Sequence, residues 1–235
     1  DKPFDDEAFV IRFRDESGKT VAAMQNFNCH STVVGPQNML ITSDLQGGVR
    51  AQLAEWLGVV PYAFTGASGD LGNRQFRRGN DFAELARVSC GIAAEFMKAE
   101  FEPVALARPE VREFVYDVDY DNTAYWPEYS SKLAEARAVL EDDGATADAK
   151  KLAVTEVSKL GHKLQIERVA FPIVMRIIEM GDVVFVTFPG ELGSVLGMRI
   201  KSMFPAKTCI VVGYANDAQG YFVPEGDWGL GNEIP

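Results

Sequence analysis

Short apolar runs alternate with segments of helical spacing along most of this chain, and a sequence built this way has few folds open to it. Helical spacing of apolar residues covers residues 48–57, 81–101 and 191–204. The runs that predict strands lie at residues 9–13, 21–27, 59–64, 111–118, 182–188 and 209–213, and residues 164–180 predict paired strands. This alternation favours the α/β class, with a layered mixed sheet and flanking helices.

A pair of helices interrupts the alternation. Residues 128–140 and 146–160 have helical spacing, and an acidic break at residues 142–144 separates them. We therefore expect a single α/β domain over residues 1–235 that carries an inserted helical pair at about residues 126–162.

Charge and composition exclude several classes of protein. The 23 Lys and Arg residues face 34 Asp and Glu residues, which gives a formal net charge of −11. Nucleic-acid binding needs clustered cations that displace counterions, so we expect no nucleic-acid partner. The longest uncharged stretch, residues 20–43, contains His30 and several amide side chains that are costly in hydrocarbon, so no transmembrane segment is expected. Three cysteines do not make a disulfide scaffold.

The two histidines have different settings. His30 ends a strand and begins a loop of small and polar residues, where rigid sheets present reactive groups. A structural histidine bonded to the backbone is the alternative. His162 follows a helix, which favours a surface or helix-end role. Cys29 does not form a nucleophile pair with His30, because successive side chains on a strand point to opposite faces.

A glycine-rich loop at residues 65–74 follows another predicted strand. Gly66, Gly69 and Gly72 permit close approach of the backbone to a ligand, and exposed N–H groups there can stabilise an oxyanion. A plain turn is the alternative. Ser68 as a nucleophile would need a base, and the neighbouring sequence supplies none.

Two later strands also end in polar residues. Glu191 follows the apolar run 183–188, and Asn216 and Tyr221 follow the last predicted strand. Glu191 would stabilise the first turn of a helix by roughly 0.3–1 kcal/mol, or it would point into the crevice where α/β sheets bind ligands. Imidazole and oxygen ligands suit zinc, although His30 with these residues does not by itself define a metal site.

These segments resemble four motifs of the neutral/alkaline ceramidase family, in the family's order and rough spacing. The segments are residues 26–35 (NFNCHSTVVG) with Asn38, Ile41 and Asp44, residues 66–70 (GASGD), residues 188–191 (FPGE) and residues 216–221 (NDAQGY). In that order they resemble the second histidine motif, the nucleophile loop, the metal-binding glutamate motif and the late tyrosine motif. The resemblance covers the later part of a family catalytic domain and points to a bacterial relative rather than a true ceramidase.

Members of this family are zinc-dependent amidohydrolases that cleave the N-acyl bond of ceramide, so the resemblance implies a ceramidase-like zinc hydrolase. Carried over residue by residue, it implies that His30, Glu191 and Tyr221 are metal ligands. A further histidine ligand comes from an upstream segment in this family. The resemblance therefore implies a fragment or a processed product, whose site an upstream chain or a homo-oligomer completes.

One position departs from the family pattern. Ceramidases place a serine nucleophile two residues after the loop aspartate, where this chain has Gly72. We therefore expect a metal-activated water as the nucleophile, with Asp70 orienting or deprotonating it; a turn-forming aspartate is the alternative. The backbone N–H groups from Gly69 to Asn73 would hold the oxyanion.

The expected substrate is a small-molecule or lipid-like amide. The residues expected to contact it are Gly69, Gly72, Asn73, Arg74 and Asn216. Arg74 would pair with a carboxylate, which a small polar amide can carry and ceramide lacks; surface solvation is the alternative. Two rival functions stay open: a non-catalytic metal- or ligand-binding relative, which Gly72 favours, and a serine hydrolase that uses Ser68.

Overall fold

The structure, a computed structural model, describes residues 3–105 and 107–227, and over that range it has a mixed α/β fold, as predicted. The described helices are α1 (Asp44–Leu57), α2 (Phe82–Phe96), α3 (Trp126–Glu141), α4 (Ala147–Lys163) and α5 (Ser194–Ser202). The described strands are β1 (Phe9–Arg14), β2 (Thr20–Phe27), β3 (Tyr62–Thr65), β4 (Glu110–Asp121), β5 (Arg168–Met180), β6 (Val183–Thr187), β7 (Glu191–Leu192), β8 (Thr208–Val212) and β9 (Tyr221–Phe222). Among the described helices, none is long and apolar enough to cross a bilayer.

The chain divides into two compact units, Asp1–Phe114 with Val174–Pro235, and Val115–Ile173. In the first unit, β1, β2 and β3 form a sheet in that order, with β1 antiparallel and β3 parallel to β2. A cluster of buried side chains from β2, α1 and α2, including Phe27, Leu53 and Phe96, forms the core beside this sheet.

A second sheet has the order β4-β5-β6-β8. β5 is antiparallel to β6, and β6 is parallel to β8. The turn between β5 and β6 contains Gly181, whose φ of 71° lies in the left-handed region that glycine favours. One face of the sheet buries Val184, Val186 and Cys209, and Ile200 of α5 packs against that cluster.

Asn26 joins the two sheets within the first unit. Its side chain is 5% exposed, and its Nδ2 donates to Phe64 O at 3.3 Å and to Val211 O at 3.0 Å. The Gly213 N–H donates to Thr65 O at 2.8 Å. These bonds bring the carboxyl ends of β3 and β8 together, at the edge where polar residues follow the strands.

The second unit contains the helical pair that the sequence predicted at about residues 126–162. Thr146 begins α4 by accepting a hydrogen bond from Ala149 N at 3.1 Å. The buried Asn122 side chain donates to Lys163 O and Ile166 O, at 2.9 and 2.7 Å, and so ties the end of α4 to the start of α3. The single-domain description of residues 1–235 stays a prediction.

The structure corrects two predicted elements. The helix expected over residues 81–101 ends at Phe96, because Phe101 leaves it to stack on Trp56 with ring centroids 5.4 Å apart. Residues 164–180 contain a single long strand, β5, rather than two paired strands, and its partner across the turn is β6.

A third correction changes the interpretation of Glu191. The helix expected over residues 191–204 begins at Ser194, because Glu191 and Leu192 form β7 and pair with β9. Glu191 is therefore not in the first turn of a helix, and stabilisation of the helix dipole does not explain it.

The segment before β1 is held by a buried ion pair. Lys201 Nζ of α5 lies 2.7 Å from Asp5 Oδ2 and 2.8 Å from Glu7 Oε2. The Asp5 side chain is 2% exposed and the Lys201 side chain is 12% exposed. Breaking such a pair leaves a charge buried without compensation.

Lys201→Met should therefore lower the free energy of unfolding by about 3 kcal/mol, measured by urea unfolding. The matched control is Lys98→Met, which breaks a pair with Glu95 between two exposed side chains. This control should change stability little, because surface ion pairs contribute little. Equal losses in the two variants would contradict the assigned role of Lys201.

Candidate functional site

His30 lies beyond the end of β2, and hydrogen bonds from the glycine-rich loop hold its backbone. The His30 N–H donates to Leu71 O at 2.9 Å, and His30 O accepts from Asn73 Nδ2 at 2.9 Å. Asn73 is 3% exposed, and its own Oδ1 is buried without a hydrogen-bond partner among the described residues. Asn73, which the sequence assigned to the substrate, thus positions His30.

Asp44 fixes the loop that follows His30. Its Oδ1 accepts from Val33 N at 2.9 Å and from Leu45 N at 2.7 Å, and its Oδ2 accepts from Val34 N at 2.9 Å. Asp44 has a φ of 45°, a conformation that Asp tolerates better than most residues. Arg77 adds two bonds to the same loop, to Thr32 O and Val33 O.

The three residues that the sequence assigned to a metal come together. His30 Nε2 lies 3.4 Å from Glu191 Oε2, and the His30 and Tyr221 rings are 6.1 Å apart. Glu191 and Tyr221 are register partners in the parallel pair β7–β9, which places their side chains next to each other. His30 Nε2 is buried and makes no hydrogen bond with a described residue.

Tyr214 is a fourth member of the cluster, and it was not among the residues that the sequence predicted. Its hydroxyl lies 3.5 Å from His30 Nδ1, and it also interacts with Glu191 and Ser68. Its φ of 55° is unusual for a tyrosine and directs the chain after β8 back towards the cluster. The available signal was its place directly after Gly213, at the end of an apolar strand.

Both phenols are held in the protonated form. Burial, and then the hydrogen bond and charge of Glu191, raise the pKa of Tyr221 to about 12, against a smaller lowering by the charge of Arg74. Burial, and then Glu191, also raise the pKa of Tyr214 well above its usual value. If Tyr214 donates to Glu191 and accepts from His30 Nδ1–H, then Nε2 presents its lone pair.

The loop residues Gly69 and Asp70 hold α5 and β7 in place. The Gly69 N–H donates to Leu192 O at 2.9 Å. The sequence predicted that this N–H would hold an oxyanion, but the bond to Leu192 occupies it. A side chain at this position would meet Glu191 O at 2.7 Å, which explains the glycine. Asp70 Oδ1 accepts from both the N–H and the hydroxyl of Ser194, at 2.7 and 2.6 Å, and so begins α5.

A cavity of about 440 Å³ opens beside this cluster. Its lining residues are Phe4, His30, Thr32, Asp70, Leu71, Gly72, Arg74, Gln75, Phe76 and Tyr221. A Cβ at Gly72 would have no heavy atom within 4 Å. Asn216 instead lines a different cavity of about 640 Å³, so the structure does not bring it together with the other predicted substrate residues.

The other candidate nucleophiles are not placed for attack. Ser68 is completely buried. Burial raises the pKa of Cys29 to about 11, which keeps it a thiol at neutral pH. His162 lies in the last turn of α4, in the second unit, as its sequence setting predicted.

The nitrogen and oxygen atoms of this cluster are of the types that bind zinc, but the cluster contains few of the side chains that usually do so. Among the described residues, no group of three or more His, Cys, Asp and Glu side chains is arranged to hold a metal ion. The cluster offers one imidazole, one carboxylate and two phenols. A buried imidazole nitrogen without a partner, facing a carboxylate oxygen at 3.4 Å, fits a cation between them.

No family model and no curated protein matches this chain. Among solved structures, it is similar to the neutral ceramidase from Pseudomonas aeruginosa, with 18% identity and a TM-score of 0.61 over 97% of this chain. It is also similar to a ceramidase complexed with C2, with 18% identity and a TM-score of 0.59 over 93% of this chain. The chain spans 42% of the length of each. The ceramidase-like fold predicted from the motifs is thereby confirmed.

Asp44→Ala should loosen the loop after His30, because the N–H groups of buried Val33 and half-buried Val34 lose their acceptor. We expect a loss of about 2 kcal/mol in unfolding free energy and faster amide hydrogen exchange at both residues. Asp15→Ala is the matched control, since Asp15 accepts from two backbone N–H groups in an exposed turn. Unchanged exchange in Asp44→Ala would contradict the role of this carboxylate.

Proposed function

We propose that this chain belongs to a zinc-dependent hydrolase that cleaves an amide or related carbonyl bond, with zinc held by His30, Glu191 and Tyr221. The observation that carries this proposal is the buried, unpartnered His30 Nε2 beside Glu191, next to an open cavity. A fold shared with ceramidases supports it at the level of architecture.

His30, Glu191 and Tyr221 would supply three ligands, and the resemblance to ceramidases implies a further histidine from an upstream segment that would complete the site. When bound in such a site, zinc would polarise a carbonyl group and lower the pKa of its bound water towards about 7. Tyr214 orients the His30 ring through Nδ1, as the outer partners of metal-binding histidines do.

The cavity supplies two further groups for the reaction. Asp70 uses Oδ1 to hold Ser194, which leaves Oδ2 to accept a hydrogen bond from the attacking water. Gly72 lines the cavity, and its N–H donates to no acceptor in residues 3–105 or 107–227. In the proposed reaction this N–H, rather than that of Gly69, faces the developing oxyanion.

A non-catalytic binding relative is the second candidate, and Gly72 favours it. The position has room for a side chain, yet it lacks the serine that the resemblance would place there. Zinc bound at one equivalent without hydrolysis of any amide in a broad panel would support this candidate. Turnover that depends on zinc would exclude it.

Zinc content tests the proposed ligands directly. After dialysis against excess zinc and then buffer, the unmodified protein should retain about one equivalent. His30→Ala and Glu191→Ala should each retain little, because each variant lacks one of the proposed zinc ligands. His162→Ala is the matched control and should keep the metal. Unchanged stoichiometry in His30→Ala would remove that residue from the ligand set.

Labelling with a fluorophosphonate tests the serine mechanism separately. Ser68 is completely buried, so the folded protein should not be labelled while an active serine hydrolase in the same tube is. Peptide mapping would locate any label. Modification of Ser68 in the folded protein would contradict the water-based mechanism.

A further inference from the structure

Arg74 is a cation without a fixed partner at the mouth of the cavity. It lines the space together with His30, Asp70 and Tyr221, and its charge reaches the Tyr221 phenol. Its side chain is exposed, and it forms no salt bridge or hydrogen bond with any residue in the described part of the chain.

The neighbouring arginines are engaged, which separates them from Arg74. Arg77 donates to two carbonyl groups of the loop after His30. Arg87 binds the Glu84 carboxylate through two nitrogens, and the charge of Arg78 also acts on Glu84. In a chain with a net charge of −11, an unpaired guanidinium beside a cavity needs an explanation.

The other groups around the cavity indicate which kind of ligand Arg74 would bind. The rings of Phe4 and Phe76 line it and are 59% and 75% exposed, so an apolar group of a ligand has surfaces to cover. Two carboxylates, Asp70 and Glu191, lie on the side of the proposed reaction. A singly charged anion at Arg74 meets less repulsion from them than a doubly charged one.

We propose that the substrate of this site is an acyl amide that carries a carboxylate, as N-acyl amino acids do, and that Arg74 binds this carboxylate. The planar guanidinium matches a carboxylate with two parallel hydrogen bonds. The apolar part of the substrate packs on Phe4 and Phe76, and its amide faces His30. This assignment rests on the proposed function and narrows it to one class of amide.

The test is a comparison of ligand binding, which needs no turnover. Isothermal titration compares N-acetyl-phenylalanine with N-acetyl-phenylalaninamide, which differs by the missing charge, and with the phosphate ester of N-acetyl-phenylalaninol. The unmodified protein should bind the carboxylate about tenfold more tightly than the amide. Arg74→Gln should abolish this preference and leave amide binding unchanged, whereas Arg78→Gln, in the same loop but outside the cavity, should preserve it.

Equal affinity for the acid and the amide, a preference that survives in Arg74→Gln, or stronger binding of the phosphate would each overturn the proposal. A parallel hydrolysis assay keeps the two proposals apart. If neutral and anionic amides are hydrolysed at equal rates, independent of Arg74, carboxylate recognition is contradicted and the hydrolase function is supported. If carboxylate binding depends on Arg74 but no amide is hydrolysed, carboxylate recognition is supported and the hydrolase function is contradicted.

Discussion

The candidate site depends on one very short parallel pairing, β7 with β9. Each strand of this pair has two residues, and main-chain hydrogen bonds hold the two strands together. The Glu191 N–H donates to Gly220 O at 2.8 Å, and the Gly193 N–H donates to Phe222 O at 2.9 Å. This register sets Glu191 opposite Tyr221. Two side chains far apart in sequence thus become neighbours through main-chain bonds.

The glycine-rich loop completes this frame from the other side. Asp70 caps α5 from a distant part of the sequence, and Asn73 holds the His30 carbonyl group. Much of the hydrogen-bonding capacity of these two side chains is therefore used to position α5 and His30 rather than to bind a ligand. In the described part of this loop, the groups that remain available to a ligand include Asp70 Oδ2, the Gly72 N–H and the Arg74 side chain.

The sequence predicted the fold class and the three residues that converge, because apolar periodicity and the order of the motifs can both be read directly from the sequence. It could not predict where Glu191 would pair, since a two-residue strand leaves no periodic signal and the apolar residues beyond it suit a helix. It missed Tyr214 for a related reason. That side chain lies beside His30 on a left-handed backbone, a conformation that the surrounding residues do not predict.

Two glycines in one loop offer opposite opportunities to anyone who wishes to redesign this pocket. Position 69 is closed, since any added carbon would strike the main chain that carries Glu191. Position 72 is permissive, with empty space above it and the imidazole across the cavity. A reporter thiol on a cysteine side chain therefore belongs at position 72, where an added Cβ meets no heavy atom within 4 Å.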